Sequence, residues 1–265
     1  MSSSFVPISR QRHAHLFWQR PSDLSRAAQS ALIPLVVSEI ARAQANLPIA
    51  FVADGETFRP VAVAGLHVGK SLLVAPDGRW LGRYVPARLR SYPFALGHSQ
   101  DQQKILMILE PEGLAQSKTG ASEAFFVDDK PAPFLGEVLN FLIELDHAEQ
   151  ATQRAMATLH SHGLLEPWPI QLTIRDRSEN IVGLYRINET LLSQLPGETF
   201  GQLRADGALL LAFAQLMSMQ NLPDLARLAE LHAAHEARVP VNQKGELDLE
   251  FLNQGGTLNF GGMGS

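Results

Sequence analysis

Arg83, Tyr84, Arg88, Arg90 and Tyr92 fall within ten residues of one another, spaced by apolar anchors, in the stretch from Gly65 to Phe94. Guanidinium groups offer rigid forked donors that match a carboxylate or phosphate, and phenol hydroxyls can orient such a guest. The same donors can instead brace a fold, by bonding loop carbonyls and an acid such as Glu39. If a strand runs on through Arg88, then Arg88 and Arg90 share a face and Arg83 points the other way. Pro86 and Pro93 are the places where that register would break. Glu39 follows an apolar run, so its helical neighbours Leu35, Val36 and Ala43 are expected to face the core. A carboxylate there must be paired or neutralised. Paired with an arginine it is structural; beside a pocket it could act as a general base.

Other residue patterns carry less. His13 and His15 could supply two metal ligands from one strand face, in the manner of oxygenase sites that add a carboxylate. His160 and His162 would point about 200° apart on a helix, and His232 and His235 are expected to be solvated. None of these pairs has a third ligand fixed in the sequence, so no metal or other cofactor is assigned. Ser38, Ser71 and Ser91 have no histidine or lysine that the sequence places beside them, and no nucleophile elbow is present. The glycines form no dinucleotide or phosphate-loop fingerprint. The stripe Leu209–Met219 is most simply core, although an exposed part could seat a partner protein.

The whole chain frames these candidates. Its 265 residues, 45% hydrophobic and 18% charged, fit a globular protein. Lys and Arg number 22 against 27 Asp and Glu, and no basic run appears, so nucleic-acid binding has no electrostatic support. The absence of cysteine excludes a disulfide scaffold, a zinc ribbon and a thiol nucleophile. The start lacks the apolar segment of a secretory signal, and no apolar run approaches the roughly 20 residues of a spanning helix. The expectation is a cytoplasmic protein without membrane insertion.

The elements that must position the candidates are read from periodicity and turn chemistry. Residues 27–46 read as helix, broken at Pro34. Strands are expected at 48–52, 60–66 and 70–75, with 79–85 pairing back across Pro76-Asp77-Gly78, and further strands at 104–110 and 124–127. Residues 134–162 form a long amphipathic helix that Gly163 stops. A second hairpin is expected from 170–175 and 181–187. Short helices follow, one capped by Asn188, then helices over 207–219 and 222–238, and a last strand over 247–252. The fold class is α+β: a mainly antiparallel sheet built from hairpins, packed by the long helix and a C-terminal helical segment. One domain over 1–265 is expected, with a sub-division near 130 into a sheet-rich and a helix-rich half, and a flexible tail over 255–265.

Several ordered words carry a resemblance. They are Pro34-Leu-Val-Val-Ser-Glu39, Leu47-Pro-Ile-Ala-Phe51, Ala62-Val-Ala-Gly-Leu66, Gly78-Arg-Trp80, Tyr84-Val-Pro-Ala87 and Arg90-Ser-Tyr-Pro-Phe94. Phe125-Phe-Val-Asp128, Gly183-Leu-Tyr-Arg-Ile-Asn188 and the segment 216–222 continue the series. Together they make the chain resemble the SapC family of bacterial proteins, over about Phe5 to Phe260. It departs from the family pattern at Ser71, where Asn is usual, and at Ser91, where Arg is usual. The resemblance implies a link to bacterial surface-layer loci, and to genes near TonB-dependent receptors, flavin-dependent halogenases and cupin-like oxygenases. It brings no catalytic residue set with it.

The resulting expectation is an accessory binding protein. It would take a peptide, a small anionic ligand or a partner protein through Arg83, Tyr84, Arg88, Arg90, Tyr92 and Glu39, with a homodimer left open. The alternative is an enzyme, hydrolytic or metal-dependent, built on Glu39, Arg88, Arg90 and His15. A structural part of a surface assembly ranks below both.

Overall fold

A computed structural model describes residues 4–99, 101, 103–111, 114–118, 120, 122–174 and 177–236. The expected strand over 247–252 and the tail over 255–265 lie outside the described residues. The architecture is α+β, as expected: several antiparallel sheets, a long helix Pro133–Ser161, and a helical segment that ends with Leu222–Glu236. Among the described residues, no helix is long and apolar enough to cross a membrane.

A five-stranded sheet holds the centre. Its order is Leu165–Pro167, Leu184–Ile187, Ile49–Asp54, Thr57–Val63 and Leu32–Pro34, so it draws strands from both sides of residue 130. The side chains of a strand alternate between two faces. Ile49, Phe51 and Ala62 pack into one buried cluster with Met156 and Leu159 of the long helix and Leu211 of helix Ala208–Ser218. Ala50, Val61 and Val63 pack into another with Leu225 and Ala229 of the last helix. Both faces are covered, which explains why Pro48–Val52 reads as a continuous apolar run. Buried Gln215 and Ser218 fasten the sheet to its helix. Gln215 accepts from Ile187 N and donates to Ile49 O, and the Ser218 hydroxyl accepts from Ile49 N.

A second, three-stranded sheet runs Ser4–Pro7, Lys104–Glu110, Phe94–His98. Around it lies a cluster rich in aromatics. Trp18 stacks on Phe134 with ring centroids 5.1 Å apart and meets Phe94 edge-on at 5.3 Å. Edge and stacked contacts of this kind add to the burial of the rings themselves.

Four expectations are corrected. Residues 27–46 are not a helix. They comprise a 3-10 turn Ser25–Gln29, the strand Leu32–Pro34, a second 3-10 turn Val37–Glu39 and the single turn Ile40–Ala43. Pro34 cannot donate, and the branched residues around it fit a pleated edge better than a helix. The expected strands at 70–75 and 79–85 are reduced to one bridge, Val74 with Trp80, with Ala75 N bonded to Arg79 O across the turn. In the second hairpin, Ile170–Ile174 pairs with Arg177–Ile181, whereas Leu184–Ile187 joins the five-stranded sheet. The strand expected at 124–127 is divided between Ser122–Ala124 and Phe126–Val127, which belong to different sheets.

Candidate functional site

The turn Pro76-Asp77-Gly78 sets the first wall of the site. Gly78 adopts φ +83°, which glycine takes without steric cost. Its carbonyl accepts from Leu24 N at 2.8 Å, so the turn docks onto the Arg20–Asp23 bend. Asp23 in turn accepts from Ser25 N at 2.9 Å, at the start of the 3-10 turn that carries Arg26. That hydrogen bond holds the Asp23 carboxyl below the usual carboxylate range.

The second wall is braced by Glu39. This carboxylate is 4% exposed and has three donors. Val36 N donates to Oε1 at 3.1 Å, while the Tyr84 hydroxyl and Ala87 N each donate to Oε2 at 2.7 Å. The bonds fix the segment 84–87 against the Val37–Glu39 turn, and from there the helix Ala87–Arg90 projects. Burial, then the hydrogen bond to Glu39 and its charge, push the Tyr84 phenol up to about 12.

Between these walls lies a cleft of about 1150 Å³. Its basic lining is Arg20, Arg26, Arg79, Arg88 and Arg90, and among the described residues Asp23 is its one acidic lining residue. Three of the arginines lie over aromatic rings. Arg26 Cζ is 4.2 Å from the Tyr92 centroid, Arg90 Cζ 5.2 Å from Phe141, and Arg20 Cζ 5.4 Å from Trp18. Such seats hold the guanidinium plane in place. Arg90 also gives Nε to Val85 O at 3.1 Å. Arg79 is paired with Asp77 at 2.7 Å, and Arg88 with Glu149 of the long helix at 2.6 Å. The apolar part of the lining includes Leu89, Phe94, Leu114 and Val138.

The residues singled out in the sequence therefore divide. Arg88, Arg90 and Tyr92 line the cleft. Arg88 and Arg90 sit on a helical turn rather than a strand, so the shared face expected of them is absent. Arg83 is exposed and outside the lining. Glu39 and Tyr84 stand behind the wall as a brace, and the partners of Glu39 are a phenol and two amides, not an arginine. Arg20, Arg26 and Arg79 were not foreseen. They come from turns, and only the Gly78 turn signal pointed to the place where they meet. Trp18 Nε1 is buried in the same lining with no acceptor among the described residues.

The histidines go elsewhere. His13 is fully buried in the short helix Arg10–His13, against Phe125 at 5.5 Å, and His15 is exposed, so the two do not converge. His13 Nε2 lies 3.1 Å from Glu110 Oε1 at an angle that forms no hydrogen bond, and Arg12 takes the Glu110 carboxylate in bidentate fashion. His160 packs on Phe58 at 5.0 Å. His232, expected in solvent, is half-buried with Nε2 3.0 Å from Leu72 O. Among the described residues, no group of three or more metal-ligating side chains gathers.

The order of these pieces matches one known pattern. The SapC family matches residues 8–225, which include every element that builds the cleft. The chain belongs to the SapC family. No curated protein and no solved structure matches it. Within this SapC chain, Ser71 and Ser91 are buried. Ser71 Oγ accepts from Leu73 N at 3.3 Å, and Ser91 Oγ donates to Arg88 O at 3.0 Å, closing the helix that carries the two cleft arginines.

Proposed function

We propose that this SapC protein is an accessory binding protein whose arginine-lined cleft takes an anionic guest, in the cytoplasm of a bacterium and in the service of surface-layer or TonB-receptor systems. The supporting observation is the concentration of positive charge. Five guanidinium groups line one cleft, against the carboxylates of Asp23, Asp77 and Glu149 that neighbour or pair with them. The chain as a whole carries a net charge of −5, so the cleft is basic against an acidic background. A cleft of about 1150 Å³ with apolar walls and a few fixed donors suits an organic anion. Arg90 and Arg26, held over rings, are the best organised of the donors.

Titration calorimetry with citrate and with inorganic phosphate tests the reading. Arg90→Ala should weaken citrate binding about tenfold, the scale of one charge-assisted contact near 1.4 kcal/mol. Its thermal midpoint should stay within about 3 °C of the parent, since a partly exposed arginine contributes little to the fold. A large fall in midpoint with unchanged citrate affinity would make the arginine a brace and end the proposal.

A further inference from the structure

Among the described residues, the sheet of Ser4–Pro7, Lys104–Glu110 and Phe94–His98 leaves one edge open beside the cleft. Its order places Phe94–His98 at the edge, paired on one side to Lys104–Glu110. At its two ends, Leu109 N donates to Pro93 O and Ser99 N donates to Gln103 O. Bonding alternates along an antiparallel ladder. Residues 93, 95, 97 and 99 therefore face the partner strand, and Phe94, Leu96 and His98 turn their N–H and C=O groups outward. Phe94 N is taken by Ser91 O at 2.8 Å, but no described backbone group meets Leu96 or His98 on that side.

The other edge of this sheet and both edges of the five-stranded sheet are blocked. In Leu32–Pro34, residues 31, 33 and 35 bond inward, as Ala64 N to Ala31 O and Leu35 N to Pro60 O show, so Pro34 faces out. In Leu165–Pro167, the bonds Asn188 N to Leu164 O and Trp168 N to Leu184 O leave Pro167 facing out. In Ser4–Pro7, Ile8 N to Leu106 O leaves Pro7 facing out. Proline on an outward edge position removes the donor that another strand would need. Of these four edge strands, Phe94–His98 alone has no proline in its outward positions.

This edge begins where the cleft does. Ser91, Tyr92 and Phe94 line the cleft, and the strand starts at Phe94. We infer that the guest of the cleft is an extended acidic peptide, which adds as a strand to the outward edge at Leu96 and carries a carboxylate side chain to Arg90 and Arg26. The inference rests on the anion-cleft reading and goes further, because it names the guest. A paired strand lies about 4.8 Å from the edge and advances about 3.3 Å per residue. A peptide bonded at Leu96 thus comes level with Phe94 two residues on, at the cleft lining. Main-chain bonds would supply affinity and the arginines would select charge. The charge complementarity of the cleft favours this occupant over an apolar strand or a second copy of the chain.

The test uses the full chain and an acetylated, amidated hexapeptide of alternating glutamate and valine. Two N-methylated versions, each methylated on alternate amides, probe the two faces of its backbone. One version should lose at least tenfold in affinity and the other should bind as the parent does. Leu96→Pro copies the design of the other edges. It should abolish peptide binding while citrate still binds; Leu96 also packs on the aromatic cluster, so the thermal midpoint should fall by several degrees with the transition still cooperative. If the parent peptide binds and both methylated versions match it, no strand is added and the inference fails, with the cleft reading intact. Loss of both citrate and peptide binding from the unmodified chain would remove both readings. A dimer of the unmodified chain that Leu96→Pro converts to monomer would assign the edge to a second copy and overturn the peptide. Should Leu96→Pro not fold, the methylated peptides decide alone.

Discussion

At the scale of single residues, Glu39 and Tyr84 decide whether the cleft has a second wall. The acid is buried among Ile40, Val36 and Leu35, where an unpartnered charge would be costly. Three donors compensate it, and two of them, Tyr84 and Ala87, lie in the segment that leads into Arg88 and Arg90. Tyr84→Phe keeps the ring and deletes one donor to a buried charge. We expect a loss of about 1–3 kcal/mol in urea unfolding. The phenol also sets a pH response. It ionises near 10 in an unfolded chain and about 12 in the folded one, so between those values the unfolded state holds fewer protons. Its contribution is complete below pH 10 and is lost as pH climbs through 12. Stability measured from pH 9 to 12 should fall more steeply for the parent than for Tyr84→Phe. Parallel curves would show that the phenol does not carry the effect. The sequence made Glu39 conspicuous, because an acid on an apolar run needs a partner. It did not reveal the partner, since a tyrosine 45 positions away and a backbone amide 48 away leave no periodic trace.

At the scale of elements, the cleft depends on two turns pressed together. A Cβ on Gly78 would sit 2.3 Å from Ser25 Oγ and 2.9 Å from Asp23 Cβ, and its φ of +83° is a left-handed value. Gly55 has a similar φ of +63°, with nothing within 4 Å of the same added atom. Gly55→Ala should therefore cost only the backbone conformation, about 1–2 kcal/mol. Gly78→Ala should cost more, and should also weaken citrate binding, because Arg20, Arg26 and Arg79 ride on the turns it parts. Equal losses for the two variants, with citrate affinity unchanged, would show that the contact does not shape the site. Elements were legible where local chemistry fixes them. The run Lys104–Glu110 is a strand with the expected bounds, because it is a short continuous apolar run, and Pro133–Ser161 is the long helix, because one apolar stripe recurs along it. Residues 27–46 misled because Leu32, Leu35, Val36, Ile40 and Ala43 keep a helical spacing while serving a strand edge and three tight turns. There, pairing with Thr57–Val63 outweighs local preference.

At the scale of the whole molecule, the composition shift near residue 130 suggests two halves, and the sheet order argues that they fold together. Ile49–Asp54 is flanked by Thr57–Val63 from before that point and by Leu184–Ile187 from after it. Ile49 bonds through its N–H and its C=O to Ser218 and Gln215, both of which are buried. A fragment of residues 1–131 would keep Ile49–Asp54, Thr57–Val63 and the short strand Leu32–Pro34. It would expose a new edge along Ile49–Asp54 and strip both faces of their helices, leaving Phe51 and Val61 in water. A remnant sheet with both apolar faces left in water has lost the burial that stabilises it. We propose that the chain folds as one cooperative unit. Urea unfolding followed by tryptophan fluorescence should then coincide with unfolding followed by circular dichroism. With Trp168 of the second half replaced by Phe, Trp18 and Trp80 report the first half alone, whereas the long helix dominates the dichroism of the second. The separate fragments 1–131 and 132–265 should each show no cooperative transition alone, and regain one when mixed. Two resolved transitions in the intact chain, or a fragment that melts sharply by itself, would instead place a domain boundary near residue 130. The cleft draws Arg90 from before that boundary and Phe141 from after it, so in that case ligand affinity would depend on how firmly the two parts dock.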